Sequence, residues 1–146
     1  MKVILGADHA GFALKEHLKK YLSAKGYDVI DLGATVLKPR DDYPDYAARV
    51  AKRVVKHNEP GILVCGSSEG VCIAANKFKG IRAVSAWSKK VAKLSREHDN
   101  ANILCLSGWL LSKEKASGIA DTFLSTAFSK EPRHVRRLKK IEKLEQ

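Results

Sequence analysis

The stretch best suited to chemistry is the turn that contains Cys65. An apolar run, Gly61-Ile62-Leu63-Val64, meets a turn of small residues at 65–70 and then a helix-compatible segment. Backbone amides in the first turn of such a helix lack partners inside it, and together with the helix dipole they attract anions. These donors could favour the thiolate of Cys65, which would make it a base or a nucleophile. Many cysteines are simply small core residues, and the local sequence supports both interpretations equally.

Other polar groups could also do chemistry. Asp8 and His9 follow the first apolar run, His98 stands beside Asp99, and cations cluster at 133–137. Taken singly, each group has an ordinary interpretation that we favour. Asp8 would cap a helix beside a solvated His9, His98 and Asp99 would end a helix, and the cations would form a solvated basic face. The five histidines show no ligand spacing with carboxylates, so we expect no metal site.

Length and composition indicate the class of protein. A chain of 146 residues should form one domain, 1–146, with a sizeable core. Its three cysteines are irregularly spaced and form no CxxC, and we see neither a signal peptide nor a membrane segment, so we expect the cytoplasm. The net charge of +11 is spread along the chain without a nucleic-acid-binding motif. Anionic small molecules are therefore more plausible partners than nucleic acids.

Apolar strands and amphipathic helices alternate along the chain. Strands are predicted at 2–7, 27–32, 61–65, 81–85 and 103–106. Helices are predicted between them: one that ends at Gly26, one from 44 to about 57, one after the turn at 65–70, one from 89 to about 97, and one from 112 to about 127. This alternation predicts an α/β fold, a Rossmann-like three-layer α/β/α sandwich around a five-stranded parallel sheet.

A basic helix is predicted at the C-terminus, from about 132 to 145. Leu138, Ile141 and Leu144 lie along one side of it. This apolar side should dock, either onto the same domain or onto a second subunit.

The predicted sheet assigns the candidate groups to its two edges. Ligands of open parallel sheets bind beyond the carboxyl ends of the strands. Asp8, Cys65 and Trp109 follow strands and should share that edge, whereas His98 ends a helix and should lie at the opposite one. His98 would then be most useful across a dimer interface.

Several ordered motifs together resemble the type B ribose-5-phosphate isomerases, over essentially the whole chain. They are Asp8-His9-Ala10-Gly11, Asp42-Tyr43-Pro44-Asp45-Tyr46-Ala47, Cys65-Gly66-Ser67, Ile73-Ala74-Ala75-Asn76-Lys77, Gly80-Ile81-Arg82-Ala83, Ser95-Arg96-Glu97-His98, Asn102, and Arg133-His134 with Arg137. The related galactose-6-phosphate and allose-6-phosphate isomerases share this architecture.

The resemblance implies an aldose–ketose isomerase that needs no metal or cofactor and works through an enediolate. Cys65 matches the thiolate base, and Ser67 matches a hydroxyl that moves a proton between the substrate oxygens. The amides from Gly66 to Gly70, which include those of Ser68 and Glu69, match the anion hole. His98 matches the histidine that opens the sugar ring.

The same resemblance implies how substrate is held. Asp8 and Tyr43 match groups that contact sugar hydroxyls, and His9, Arg133 and Arg137 match a phosphate clamp. It further implies a homodimer in which the neighbouring subunit supplies the stretch around His98. Whether dimers pair into tetramers stays open.

Four residues depart from the family pattern. Ser68 replaces a glycine, which would cost about 1 kcal/mol if the position needs a positive φ. Glu69 brings negative charge toward the enediolate unless its side chain turns outward. Asp99 stands where an asparagine is common and Trp109 where an arginine is common, and both positions are expected to contact substrate.

Three functions remain open at this point. The first is a ribose-5-phosphate/ribulose-5-phosphate isomerase of the pentose phosphate pathway. The second is an isomerase of another sugar or sugar phosphate, such as allose 6-phosphate, galactose 6-phosphate or a tetrose phosphate. The third is a non-catalytic sugar-phosphate-binding protein.

Overall fold

The structure of the protein is a computed structural model that describes residues 1–145. In this part of the chain, five parallel strands form one sheet in the order β2-β1-β3-β5-β4. The strands are β1 (Lys2–Ala7), β2 (Asp28–Asp31), β3 (Gly61–Cys65), β4 (Ala83–Ser85) and β5 (Ile103–Ser107). The predicted five-stranded parallel sheet is confirmed.

Within residues 1–145, six helices connect or follow the strands. They are α1 (Phe12–Ala24), α2 (Tyr43–His57), α3 (Glu69–Ala75), α4 (Lys89–Asp99), α5 (Lys113–Ser125) and α6 (Pro132–Glu142). Ser88 and Ser112 cap α4 and α5, because their side chains accept hydrogen bonds from backbone amides in the first turn. The predicted helices are therefore present, with ends that differ by a few residues.

The helices pack on the two faces of the sheet through two apolar clusters, one on each face. One cluster joins alternate strand residues such as Val64 and Leu104 to α1, α4 and α5. The other joins the intervening residues, such as Leu63 and Ile103, to α2 and α3. Because strand side chains alternate between faces, strands covered on both sides must be apolar throughout, as β3 and β5 are. The three-layer architecture is confirmed.

Helix α1 differs from its predicted burial pattern. Ala13, which we predicted on the buried face, is exposed, whereas the Lys15 side chain is fully buried. The Lys15 ammonium donates to the Asp31 carboxylate at 2.6 Å and to the Ala34 carbonyl at 2.9 Å. A buried charge needs such partners, and β2 supplies one across the helix–sheet interface.

The C-terminal helix α6 ends at Glu142, three residues before the predicted end at 145. Leu138 is buried against the domain, but Ile141 and Leu144 remain 46% and 79% exposed. The single domain predicted over 1–146 stays a prediction, and residue 146 lies outside the described part of the chain. Among residues 1–145, no helix has the length and apolar character needed to span a membrane.

Candidate active site

A cavity of about 330 Å³ opens where the carboxyl ends of β1, β3 and β5 meet. It brings together residues that are far apart in sequence: Asp8, His9, Ala10, Tyr43, Cys65, Gly66, Ser67, Gly70 and Trp109. The edge predicted from the strand alternation therefore holds much of the predicted site.

Cys65 is the last residue of β3, and only 4% of it is exposed. Burial raises the pKa of its thiol, although the backbone amides of Val71, Ser68 and Gly70 act in the opposite direction. The amides therefore favour the thiolate, as the sequence suggested, but desolvation outweighs them and the net shift in the pKa is upward. These amides hydrogen-bond to the Cys65 sulfur, which carries the negative charge when the thiol ionises.

The loop after Cys65 adopts the strained backbone that its sequence raised as a possibility. Ser68 has a φ of +76°, a left-handed conformation in which glycine would be unstrained. Its hydroxyl lies 2.5 Å from that of Ser85, which also donates to a Glu69 carboxylate oxygen at 3.0 Å. The Glu69 side chain is thus directed toward β4, and neither Ser68 nor Glu69 lines the cavity.

Two aromatic rings pack against the glycines of this loop. A Cβ atom on Gly66 would approach the Trp109 ring to 2.6 Å, and one on Gly70 would approach the Tyr43 ring to 2.8 Å. Tyr43 begins α2, and Trp109 follows β5 with 72% of its surface exposed. The rings therefore flank the loop and form apolar walls of the cavity.

Asp8 and His9 extend from the end of β1 into this cavity. Asp8 is 5% exposed, and its carboxylate accepts a hydrogen bond from the Gly11 amide at 3.0 Å. Burial raises the pKa of Asp8, while the Gly11 amide and His9 oppose the shift. His9 contacts a residue that the sequence prediction missed: Asp41 Oδ1 accepts from the His9 backbone amide and lies 2.8 Å from its Nδ1 atom.

The atoms of Asp8, His9 and Asp41 that could ligate a metal lie within 4.8 Å of one another. His9 and Asp41 are already hydrogen-bonded to each other, and Asp8 holds the Gly11 amide. Because these ligand atoms already hydrogen-bond to protein groups, they favour an ion pair between His9 and Asp41 over a metal site.

The remaining predicted residues form a second group at the opposite edge of the sheet. His98 lies in the last turn of α4, and its ring centroid is 4.4 Å from that of His134 in α6. Helix α4 ends four residues before β5 begins, which places His98 and Asp99 near the amino ends of the strands. They cannot reach the Cys65 cavity of their own chain.

Arg133 and Arg137 flank His134 on α6, and both are exposed. Arg133 Nε pairs with Glu131 at 2.9 Å. They stand one helical turn apart, so both can approach one anion from the same side. Like His98 and Asp99, they do not line the cavity.

Comparison with known proteins supplies the family. The sequence model of the Ribose/Galactose Isomerase family matches residues 3–141. The chain belongs to this family. It is 43% identical to a probable ribose-5-phosphate isomerase B of Mycoplasma genitalium over 95% of this chain and 92% of that one. It is 40% identical to the Escherichia coli ribose-5-phosphate isomerase B over 99% and 97%.

Solved structures of family members superpose closely on this chain. A crystal structure of the Mycoplasma genitalium ribose-5-phosphate isomerase B with bound ribulose-5-phosphate matches with a TM-score of 0.94 at 42% identity, covering 99% of this chain and 95% of that one. The ribose-5-phosphate isomerase B of Clostridium thermocellum matches with a TM-score of 0.96 at 40% identity, covering 99% and 97%.

Three residues that the sequence prediction did not place in this family's site contact residues that it did. Asp41 holds His9, Ser85 holds Ser68 and Glu69, and His134 packs on His98. His134 is only 3% exposed, so the alternative of a solvated basic face is wrong at this position. His134 belongs to one of the motifs that resemble the family, so the sequence contained a reason to include it in the site. Nothing in the sequence pairs Asp41 with His9, which lies 32 positions away.

Proposed function

We propose that this protein is a ribose-5-phosphate isomerase that interconverts ribose 5-phosphate and ribulose 5-phosphate by proton transfer through an enediolate. The observation that carries the proposal is the position of Cys65 at the base of the cavity, facing the loop amides, in a chain of the ribose/galactose isomerase family. A base and anion-stabilising donors are the two requirements of this reaction.

The chemistry uses the cavity residues in sequence. The Cys65 thiolate takes the proton from C2 of the open-chain aldose and returns it to C1, while the hydroxyl proton of O2 moves to O1 through Ser67. Ser67 is exposed at the cavity, which suits a hydroxyl that must contact substrate. The amides from Gly66 to Gly70 stabilise the enediolate, and one well-placed donor of this kind lowers a barrier by about 3–4 kcal/mol.

A second subunit completes the site in this proposal. His98 would open the sugar ring, and Arg133 and Arg137 would hold the phosphate together with His9. Within one chain, however, His98 and the two arginines lie at the edge of the sheet opposite the Cys65 cavity. In a homodimer, the neighbour's α4 and α6 would meet the Cys65 cavity. The exposed Ile141 on α6 and Leu144 just after it support docking onto a second subunit over docking onto the same domain.

Other residues support the same assignment. Asp8 and Tyr43 stand where sugar hydroxyls would bind, and Asp99 would reach the sugar from the neighbour. The reaction needs reduced Cys65, which supports a cytoplasmic location.

A related isomerisation is the second candidate function. Trp109 forms an apolar wall where many family members have an arginine, and this observation favours a substrate with fewer polar contacts at that position. Such a substrate would be another sugar phosphate of four to six carbons.

A substrate panel tests the proposal. Purified protein treated with a chelator is incubated with ribose 5-phosphate, allose 6-phosphate, galactose 6-phosphate, a tetrose phosphate and free ribose, and isomer formation is measured. Fastest turnover of ribose 5-phosphate supports the proposal, and faster turnover of another sugar phosphate supports the second candidate. Binding without turnover of any of them would identify a sugar-phosphate-binding protein.

A further inference from the structure

The loop before α2 places the carboxylate of Asp41 beside His9, which lines the cavity. We propose that Asp41 is a positioning residue that holds the His9 imidazole by its Nδ1 atom, so that Nε2 presents an N–H donor to the phosphate of the substrate. The inference rests on the proposed function, because it assumes that His9 binds the phosphate.

The geometry fixes His9 at two points. Asp41 Oδ1 lies 2.8 Å from the backbone nitrogen of His9 and 2.8 Å from its Nδ1 atom. The Asp41 side chain is 9% exposed, whereas that of His9 is 40% exposed and lines the cavity. A buried carboxylate therefore anchors an accessible ring, which is the arrangement that a positioning residue requires.

The tautomer of His9 decides whether the ring can bind an anion. A neutral imidazole that donates from Nδ1 to Asp41 carries a lone pair on Nε2, which would repel a phosphate oxygen. A protonated ring donates from both nitrogens and adds a positive charge. Asp41 must therefore keep the ring charged as well as oriented.

The charges around His9 act in that direction. The hydrogen bond to Asp41 raises the pKa of His9, burial opposes the shift, and the carboxylate of Asp8 adds to it. Burial works against ionisation of Asp41, but its bonds to the His9 amide and ring lower its pKa, and Tyr46 of α2 contributes to this lowering. Besides the pair itself, Asp8 and Tyr46 are the titratable groups that act on it within the described residues, so the His9 ring stays protonated to higher pH than a free imidazole.

The test compares Asp41→Asn with the unaltered protein at pH 5.5 and pH 8. The asparagine oxygen can still accept from Nδ1, but it lacks the charge. At pH 5.5 both rings are protonated, so the dissociation constant of inorganic phosphate should change little. At pH 8 a larger share of the unaltered rings than of the variant rings is protonated, so the variant should bind phosphate more weakly, by up to the roughly tenfold loss expected for a charge-assisted hydrogen bond. The ratio of the KM of the variant to the KM of the unaltered protein, measured with a sugar phosphate, should rise with pH in the same way. The kcat values of the two proteins should stay nearly equal at each pH.

Asp45→Asn is the matched control, because it removes the same charge four residues away, where Asp45 is exposed and makes no hydrogen bond to His9. NMR titration of the His9 ring gives its pKa directly, and Asp41→Ala serves as a second variant that removes both bonds. An equal loss of phosphate affinity at both pH values, or none at either, would overturn the proposal, as would a lowered His9 pKa without weaker binding at pH 8. Phosphate binding and the titration need no turnover, so they separate this inference from failure of the isomerase assignment.

Discussion

Replacing Ser68 in two ways measures the strain in the loop after Cys65. Ser68→Gly and Ser68→Ala both remove the hydroxyl and its 2.5 Å contact with Ser85, so that loss cancels between them. They differ in backbone, because φ is +76° at this position. A left-handed backbone costs an L-residue about 1–2 kcal/mol. The greater flexibility of unfolded glycine offsets about 0.5–1 kcal/mol of this. We expect Ser68→Gly to be more stable than Ser68→Ala by about 0.5–1 kcal/mol.

Urea unfolding of the two variants, followed by circular dichroism, gives this difference directly if both show the same m-value. Their melting temperatures should differ by up to about 3 °C for a chain of this length. Ser85→Ala serves as a control, because it removes the hydroxyl contact while leaving Ser68 in place. Equal stability of Ser68→Gly and Ser68→Ala would refute the conclusion that residue 68 carries backbone strain.

Three further predictions concern the core, the phosphate and the thiol. Asp31→Ala should lower the free energy of unfolding by about 2 kcal/mol, because it removes the less exposed of the two carboxylates that pair with the buried Lys15 and leaves only Glu16, whereas Asp28→Ala on the same strand should have little effect in urea titrations. Arg137→Ala should raise KM about tenfold for a phosphorylated sugar but not for a free one, and equal increases would argue against a phosphate clamp. Alkylation of Cys65 by iodoacetamide should keep accelerating above about pH 8.5, because burial raises the pKa of the thiol. A rate that levels off near neutral pH would contradict that shift.

The layers of the fold follow from local patterns in the sequence. Apolar runs such as 61–65 and 103–106 lie between helical periods, and only a parallel sheet covered on both faces buries them. The strand order was not predicted, because it depends on crossovers that no local pattern records. The burial of Lys15 was missed for a related reason: a lysine reads as a surface residue until its partner Asp31 is known to lie under the same helix.

The site was predictable where it follows the strands and less so elsewhere. Cys65 ends β3, and Asp8 and Trp109 follow β1 and β5, so the sheet brings them together. Asp41 lies in a polar loop without periodicity, and its contact with His9 forms only in three dimensions. The sequence left the ionisation of Cys65 open, because it shows the amide donors but not the depth of burial that opposes them. The roles proposed for His98, Arg133 and Arg137 stay predictions that depend on a second subunit.

Isomerisation by Cys65→Ala in deuterated water tests the central claim most directly. The variant is incubated with ribose 5-phosphate, and both ribulose 5-phosphate and deuterium incorporated at the transferred position are measured. Cys72→Ala, which alters a half-buried cysteine of α3, is the matched control. We predict that Cys65→Ala forms no ribulose 5-phosphate and exchanges no deuterium while still binding phosphate, and that Cys72→Ala does both reactions. Turnover or exchange by Cys65→Ala at the rate of the unaltered protein would contradict the assignment of Cys65 as the base.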